Sequence, residues 1–340
     1  MNTLKPLLAR LAQGETLSES EAESGFGIIM EGEATPAQIA GLLMAMRLRG
    51  ETVAEMTGAV RAMRARMTAI EAPPGTIDLV GTGGDGAGTL NISTAAAMVV
   101  AGAGVKVAKH GNRALSSRSG ASDALAALGI NLDLPFEELP RVLREAGMVF
   151  LAAPRHHSAL RHAAGPRIEL GTRTIFNLLG PLTNPARVKR QMTGAFAPQW
   201  LRPMAETLAA TGSERAWLVH GMGLDELTLA GPSHVVELHD GRFREFTLSP
   251  ADAGLPEAPT EALAGGDPAH NAAALEALLR GAAGPYRDCV VLNAAAALVV
   301  AGESNDLREA ATRAARSIEE GAALAVLERL RLATRPAADA

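Results

Sequence analysis

Along the first 70 residues apolar side chains recur at the spacing of amphipathic helices, and nothing there reads as a strand. Ile39, Leu42, Leu43 and Met46 form one stripe behind Thr35-Pro36, an N-cap and first-turn pair, and Gly50 ends the run. Residues 52–70 repeat the pattern with Val53, Met56, Val60, Met63 and Met67, a stripe of the kind that fills gaps between packed helices. After Pro73-Pro74-Gly75 the texture changes. Short apolar runs at 76–80, 105–108, 148–152, 191–196, 215–219 and 234–238 read as strands, with helical segments between several of them; 92–103 reads as an alanine-rich helix, and from Pro268 onward almost everything does. This alternation predicts a largely parallel sheet with its ligands at the carboxyl ends of the strands. The expected fold is α/β in two parts. A small all-helical N-terminal domain spans 1–72, joined by helices from about 155–185, and a larger domain, 73–340, holds a central mostly parallel sheet flanked by helices.

Length supports the division, since 340 residues at about 150 per domain suggest two. With 47% hydrophobic residues the chain can bury a sizeable core. Its formal charge of −5 advertises neither nucleic acid nor an anionic membrane as partner, and seven Phe, two Trp and one Tyr are too few for a base-stacking platform. The lone Cys289 excludes an internal disulfide and, lying beside Val290-Val291-Leu292, reads as inert packing. The first residues, MNTLKPLLARLAQGE, lack the apolar core of a signal peptide, and no charge-free apolar stretch reaches the roughly 18 residues of a membrane span. A cytoplasmic protein without membrane contacts is expected.

The richest chemistry lies at Val80-Gly81-Thr82-Gly83-Gly84-Asp85-Gly86-Ala87-Gly88-Thr89-Leu90-Asn91-Ile92-Ser93-Thr94. This loop leaves a strand and opens a helix, where free N–H groups and the helix dipole favour an anion and glycines let the backbone approach phosphate oxygens. The pattern Gly81-x-Gly83-x-x-Gly86 also satisfies the dinucleotide fingerprint. That fingerprint wants an acid at the end of the next strand; the chain instead has Lys109-His110-Gly111-Asn112-Arg113, followed by Ser116, Ser117 and Ser119. A Walker A loop fails too, for want of Gly-Lys-Ser/Thr. Two neighbouring loops, one of backbone donors and one of cations and hydroxyls, suit a ligand with several phosphates.

A second constellation is Val219-His220-Gly221-Met222-Gly223-Leu224-Asp225-Glu226. If a bend brings both acids to one site, they suit Mg²⁺, which takes a few carboxylates plus phosphate oxygens and water. His156, His157 and His162 lack the i,i+4 spacing of a zinc helix and read as helix-surface or interdomain residues.

Four strings occur together in order: GTGGD with its trailing TLNIST (81–94), KHGNR with SS (109–117), RTIFNLLGPLTNPA (173–186) and GLDE (223–226). Together they resemble the anthranilate phosphoribosyltransferase family of tryptophan biosynthesis, whose fold is shared with pyrimidine nucleoside phosphorylases. The resemblance implies transfer of a 5-phosphoribosyl group from phosphoribosyl diphosphate to the amine of anthranilate, one or two Mg²⁺ ions, and a homodimer. By position, Gly81, Gly84, Asp85, Thr89, Asn91, Ile92, Ser93 and Thr94 would contact the sugar diphosphate. Lys109, His110, Gly111, Asn112, Arg113, Ser116, Ser117 and Ala121 would complete its site. Gly81, Asn112 and Arg167 would meet anthranilate. Ser93, Asp225 and Glu226 would hold the metal. No covalent nucleophile is implied, and Lys109 would stabilise charge. Departures fall at Gly120-Ala121-Ser122-Asp123 and at Ala164-Gly165, before Pro166-Arg167. The alternatives are a pyrimidine nucleoside phosphorylase, which KHGNR and the serine pair disfavour, and a non-catalytic relative binding nucleic acid, which the negative charge disfavours.

Overall fold

Four helices open the chain: α1 (Lys5–Ala12), α2 (Glu19–Glu31), α3 (Pro36–Arg49) and α4 (Val53–Arg66). The computed structural model describes residues 3–112 and 119–335. Local chemistry fixes three of the helix starts. Ser18, Thr35 and Thr52 each accept from the backbone N–H three residues on, while Glu21, Gln38 and Glu55 reach back to the cap, a reciprocal box in which each cap contributes about 1 kcal/mol. Met46, Met56, Val60 and Met63 are buried as the stripes require.

The remainder is built on one seven-stranded sheet: β1 (Ile77–Gly81), β2 (Val107–Gly111), β3 (Met148–Ala152), β4 (Arg190–Gly194), β5 (Arg215–Gly221), β6 (Ser233–His239) and β7 (Arg242–Leu248), in the order β3-β2-β1-β4-β5-β6-β7. The first five pair in parallel, as expected; β6 and β7 add antiparallel. β7 alternates arginines with Phe243 and Phe246 and exposes most of its length, so it carries little of the apolar signal that marks the other strands. A second difference matters more for function. The strand expected at 105–108 lies at 107–111, because pairing with β3 continues through Lys109↔Phe150, His110↔Leu151 and Gly111↔Ala152. Lys109 and His110 are therefore strand residues on opposite faces, not two members of one loop.

One buried cluster surrounds the alanine-rich α5 (Ile92–Gly102), which packs against the long helix Pro285–Ala301. The other begins in α1–α4 and continues through Ile175–Leu179 and Leu201–Ala210 to Ala216 and Leu218 of β5. Alternation along β5 feeds both, since Trp217 and Val219 belong to the first cluster. Among the described residues no helix is long and apolar enough to cross a membrane.

Candidate active site

The carboxyl ends of β1, β4 and β5 meet the N-terminus of α5, and three loops converge there. Gly83 and Gly84 adopt left-handed φ values of 67° and 70°, which lets the loop after β1 curl over the strand ends. The Gly83 N–H donates to Asp225 Oδ2 at 2.6 Å. The Ser93 N–H, in the first turn of α5, donates to Glu226 Oε1 at 3.1 Å. From β2 the buried Lys109 ammonium donates to Ser93 Oγ at 3.2 Å and to the carbonyl of Leu79. Gly81, Ser93, Lys109, Asp225 and Glu226, scattered over some 145 positions, thus share one site, and the bend that the acidic pair requires is present.

The acidic loop can lie this close only because its floor lacks side chains. A Cβ on Gly81 would come within 2.5 Å of Asp225 Oδ2, and one on Gly194, at the end of β4, within 1.5 Å of the Asp225 carbonyl oxygen. Gly194 carries no motif signal of its own. Beneath the loop, Asn293 is fully buried on Pro285–Ala301 and holds both ends of one residue, accepting from the Leu227 N–H at 3.0 Å and donating to its carbonyl at 2.9 Å. An Asn inside the apolar run Val290-Val291-Leu292-Asn293-Ala294 was the available signal. Asn91 is fixed likewise, by Asn271 Nδ2 at 3.0 Å and by the Tyr286 hydroxyl on its carbonyl at 3.2 Å.

Electrostatics mark the site as incomplete. Burial, then the facing Asp85, pushes the Asp225 carboxyl up to about 7. Burial, then Asp225, pushes Glu226 up to about 8. Burial lowers Lys109, with Asp78, Glu226 and Asp225 opposing the shift. Two desolvated carboxylates served by one lysine call for further positive charge. Asp225, Glu226 and the Ser93 hydroxyl are hard oxygen donors that fit Mg²⁺. Among the described residues no group of three or more His, Cys, Asp and Glu is arranged around a metal position, so a partial protein shell is what the chain supplies. Such a shell suits an ion that keeps water and shares phosphate oxygens.

Residues 5–67 match the family described as "Glycosyl transferase family, helical bundle domain", and 73–324 match "Glycosyl transferase family, a/b domain". An anthranilate phosphoribosyltransferase of Sinorhizobium medicae is 58% identical over 330 residues, covering 97% of this chain and 98% of the relative. One from Paramagnetospirillum magneticum is 59% identical over 328 residues, covering 96% and 95%. Among solved structures, the Thermus thermophilus anthranilate phosphoribosyltransferase superposes with a TM-score of 0.92 at 45% identity, covering 97% of this chain and 99% of that one. The Saccharomyces cerevisiae anthranilate phosphoribosyltransferase in complex with PRPP and Mg gives 0.89 at 28% identity, covering 97% of both. The chain belongs to the anthranilate phosphoribosyltransferase family.

Other residues suggested by the resemblance to that family are placed less uniformly. Gly84 and Asp85 lie in the loop beside Gly83, and Asp85 closes a turn by accepting from the Ala87 N–H at 3.1 Å. Thr89 bridges to Ala264; Asn91 caps α5, and Ile92 and Thr94 are buried in its first turn. His110 is not brought to the Lys109 cluster. It points to the other face of β2, where its ring meets His157 at 5.2 Å. Gly111 ends β2 against Phe150, Asn112 accepts from the Ser122 N–H at 3.3 Å, and Ala121 starts the next helix. Arg167 lies on Arg161–Leu170 in the helical unit, over the Phe176 ring at 5.1 Å. Arg113, Ser116 and Ser117 fall outside the described residues.

His156 and His157 are buried, so the surface reading of them fails. They line the crossing between helical unit and sheet, His156 Nδ1 meeting the Thr68 carbonyl at 2.6 Å. Asp78 was hidden inside an apolar strand. Fully buried and pushed up to about 6 by desolvation, it accepts from the His110 N–H at 3.0 Å and from Asn184 Nδ2 at 2.7 Å, under Lys109. The thiol of Cys289 is buried and raised by desolvation, in keeping with a packing role.

Proposed function

We propose that the three converging loops form the donor site of an anthranilate phosphoribosyltransferase, a Mg-dependent pentosyltransferase of tryptophan biosynthesis. The chain moves the 5-phosphoribosyl group of phosphoribosyl diphosphate to the amine of anthranilate: a C1–N bond forms, the C1–O bond to pyrophosphate breaks, and the amine loses a proton. The single observation that carries the assignment is the chain of contacts from Gly83 to Asp225 and from Glu226 through Ser93 to Lys109. The nucleoside phosphorylase and nucleic-acid alternatives are not favoured by relatives at this identity and coverage.

An aromatic amine is uncharged at neutral pH, so the site needs no strong base, only positioning and compensation for the departing diphosphate. Lys109, fixed under Ser93, would stabilise that charge; the amides of the glycine loop and of the first turn of α5 would receive phosphate oxygens. Mg²⁺, when bound by Asp225, Glu226 and Ser93, supplies neutralising charge for the same group. Arg167, half-buried over an aromatic ring, would hold the anthranilate carboxylate in a two-pronged grip that lysine cannot reproduce. Asn112 and Gly81 would complete the acceptor side. The separate family matches at 5–67 and 73–324 support a helical domain of 1–72 and an α/β domain of 73–340, and the buried cluster that joins Ala163 and Ile175 to α1–α4 supports adding helices from 155–185 to the former. Leu48 and Ile168, 82% and 80% exposed on the packed helices α3 and Arg161–Leu170, support a homodimer formed through the helical unit, and the expected setting is the cytoplasm. Anthranilate fluorescence tests the reaction. It should decay only when protein, phosphoribosyl diphosphate and Mg²⁺ are all present; decay without the sugar diphosphate, or none in the full mixture, refutes the assignment.

A further inference from the structure

Arg173 has no part in the site as described so far. It stands between Gly171, the left-handed end of Arg161–Leu170, and Thr174, which caps Ile175–Leu179. The second of these helices is rooted in the helical unit: Ile175 and Phe176 are buried, and Phe176 meets Phe26 of α2 edge-on at 5.6 Å. From that base the Arg173 guanidinium reaches across to the α/β unit, lies over the Phe196 ring at 4.3 Å and donates to the carbonyl of Gly84. Phe196 is tied to the same loop, its N–H donating to Thr82 Oγ1 at 2.9 Å. No ion pair involves Arg173 among the described residues.

A guanidinium whose partners are an aromatic face and one neutral carbonyl does little for net charge and much for orientation. The loop it holds contains four left-handed glycines, Gly83, Gly84, Gly86 and Gly88, which on their own leave the backbone free to turn over. A trans peptide keeps its C=O and the following N–H on opposite sides. Fixing the Gly84 carbonyl therefore turns the Asp85 N–H away from Arg173 and settles which way the loop's donors face.

We infer that Arg173 is a positioning residue that clasps the glycine loop to the helical unit and holds its amides ready for the donor diphosphate. The clasp itself stands on geometry alone; the identity of the ligand rests on the function proposed above. Hydrogen exchange on the full ligand-free chain separates the two. In Arg173→Ala the hydrogen-bonded amides of this loop, Gly83 on Asp225 and Ala87 on Asp85, should exchange at least about tenfold faster, with the β1 and α5 amides unchanged. Arg173→Lys keeps the charge but cannot lie flat on Phe196, and Phe196→Leu removes the shelf; both should loosen the same amides by a smaller factor, and they decide the matter if Arg173→Ala is poorly folded. In steady state the KM for phosphoribosyl diphosphate should rise about tenfold and that for anthranilate less than about twofold. Unchanged exchange at Gly83 and Ala87 in all three variants overturns the clasp. A raised donor KM with a loop as protected as in the parent makes Arg173 a direct phosphate ligand and overturns positioning. Faster exchange with both KM values unchanged reduces it to a tether, which overturns the positioning role and counts against this loop as the donor site.

Discussion

Lys109 and His110 are neighbours on one strand, equally buried, and they belong to regions of opposite character. On the Lys109 face, a cation, two raised carboxylates and a glycine loop face one another with their charge unbalanced. On the His110 face, burial holds three histidines below the ordinary imidazole range, and His156 Nδ1 meets the Thr68 carbonyl. Both regions are dense in titratable groups, but in the second burial favours the neutral form of each ring and leaves no charge to balance. Function lies where desolvated charge is left for a ligand to balance, and structure where the groups are neutralised by the chain itself.

The largest expected effect breaks the first region. Asp225→Asn combined with Glu226→Gln should lower turnover by roughly three orders of magnitude, about 4 kcal/mol of lost charge compensation, without lowering the thermal midpoint. Near-normal turnover would show that the acids hold no metal. Arg167→Ala should raise the anthranilate KM about 10- to 100-fold and the sugar-diphosphate KM far less; equal increases would remove Arg167 from the acceptor side.

The two regions should also respond to pH with opposite sign. Asp225 and Glu226 are raised above their ordinary values, to about 7 and about 8, so the folded state holds protons there that the unfolded chain has released. Their contribution to stability therefore falls as pH rises from about 4 through 8. Mg²⁺ must displace those protons, so its affinity should increase over the same interval, and it should raise the melting temperature more at pH 8.5 than at pH 6. A Mg²⁺-induced shift independent of pH would contradict this. The histidines are depressed, His157 to about 4 with burial as the main cause, so below about pH 6.5 the unfolded chain takes up protons that the folded one refuses. Stability should fall as pH drops from 6.5 toward 4. His157→Asn keeps a polar side chain without a titrating ring, and should recover about 2–4 °C of that acid-side loss while leaving Mg²⁺ affinity unchanged. Should the variant lose Mg²⁺ affinity instead, the separation of the two faces would fail.

The residues legible in advance were those carrying a local signal. Thr35-Pro36 announced a helix start, the glycines after β1 a phosphate-type loop, and the Asp225-Glu226 doublet a hard-cation site. The groups that build the site from beneath carried faint signals or none: Asp78 inside an apolar strand, Asn293 inside an apolar helix, Gly194 at an ordinary strand end, Arg173 in a turn. Each acts through a partner on another part of the chain: Gly84 lies 89 positions from Arg173, Leu227 66 from Asn293, His110 32 from Asp78 and Asp225 31 from Gly194.

From the amino-acid order alone came the periodicities, the caps and the donor types, because these depend on neighbours within about one helical turn or one strand pleat. The tertiary structure alone decided that Lys109 and His110 face opposite ways, that Asp225 can rest against Gly81 and Gly194, and that an arginine of the helical unit grips a loop of the sheet. Those outcomes depend on strand register and on close approach between distant backbones. Both are set by packing the whole chain, since a shift of one residue in β2 would exchange its lysine for its histidine.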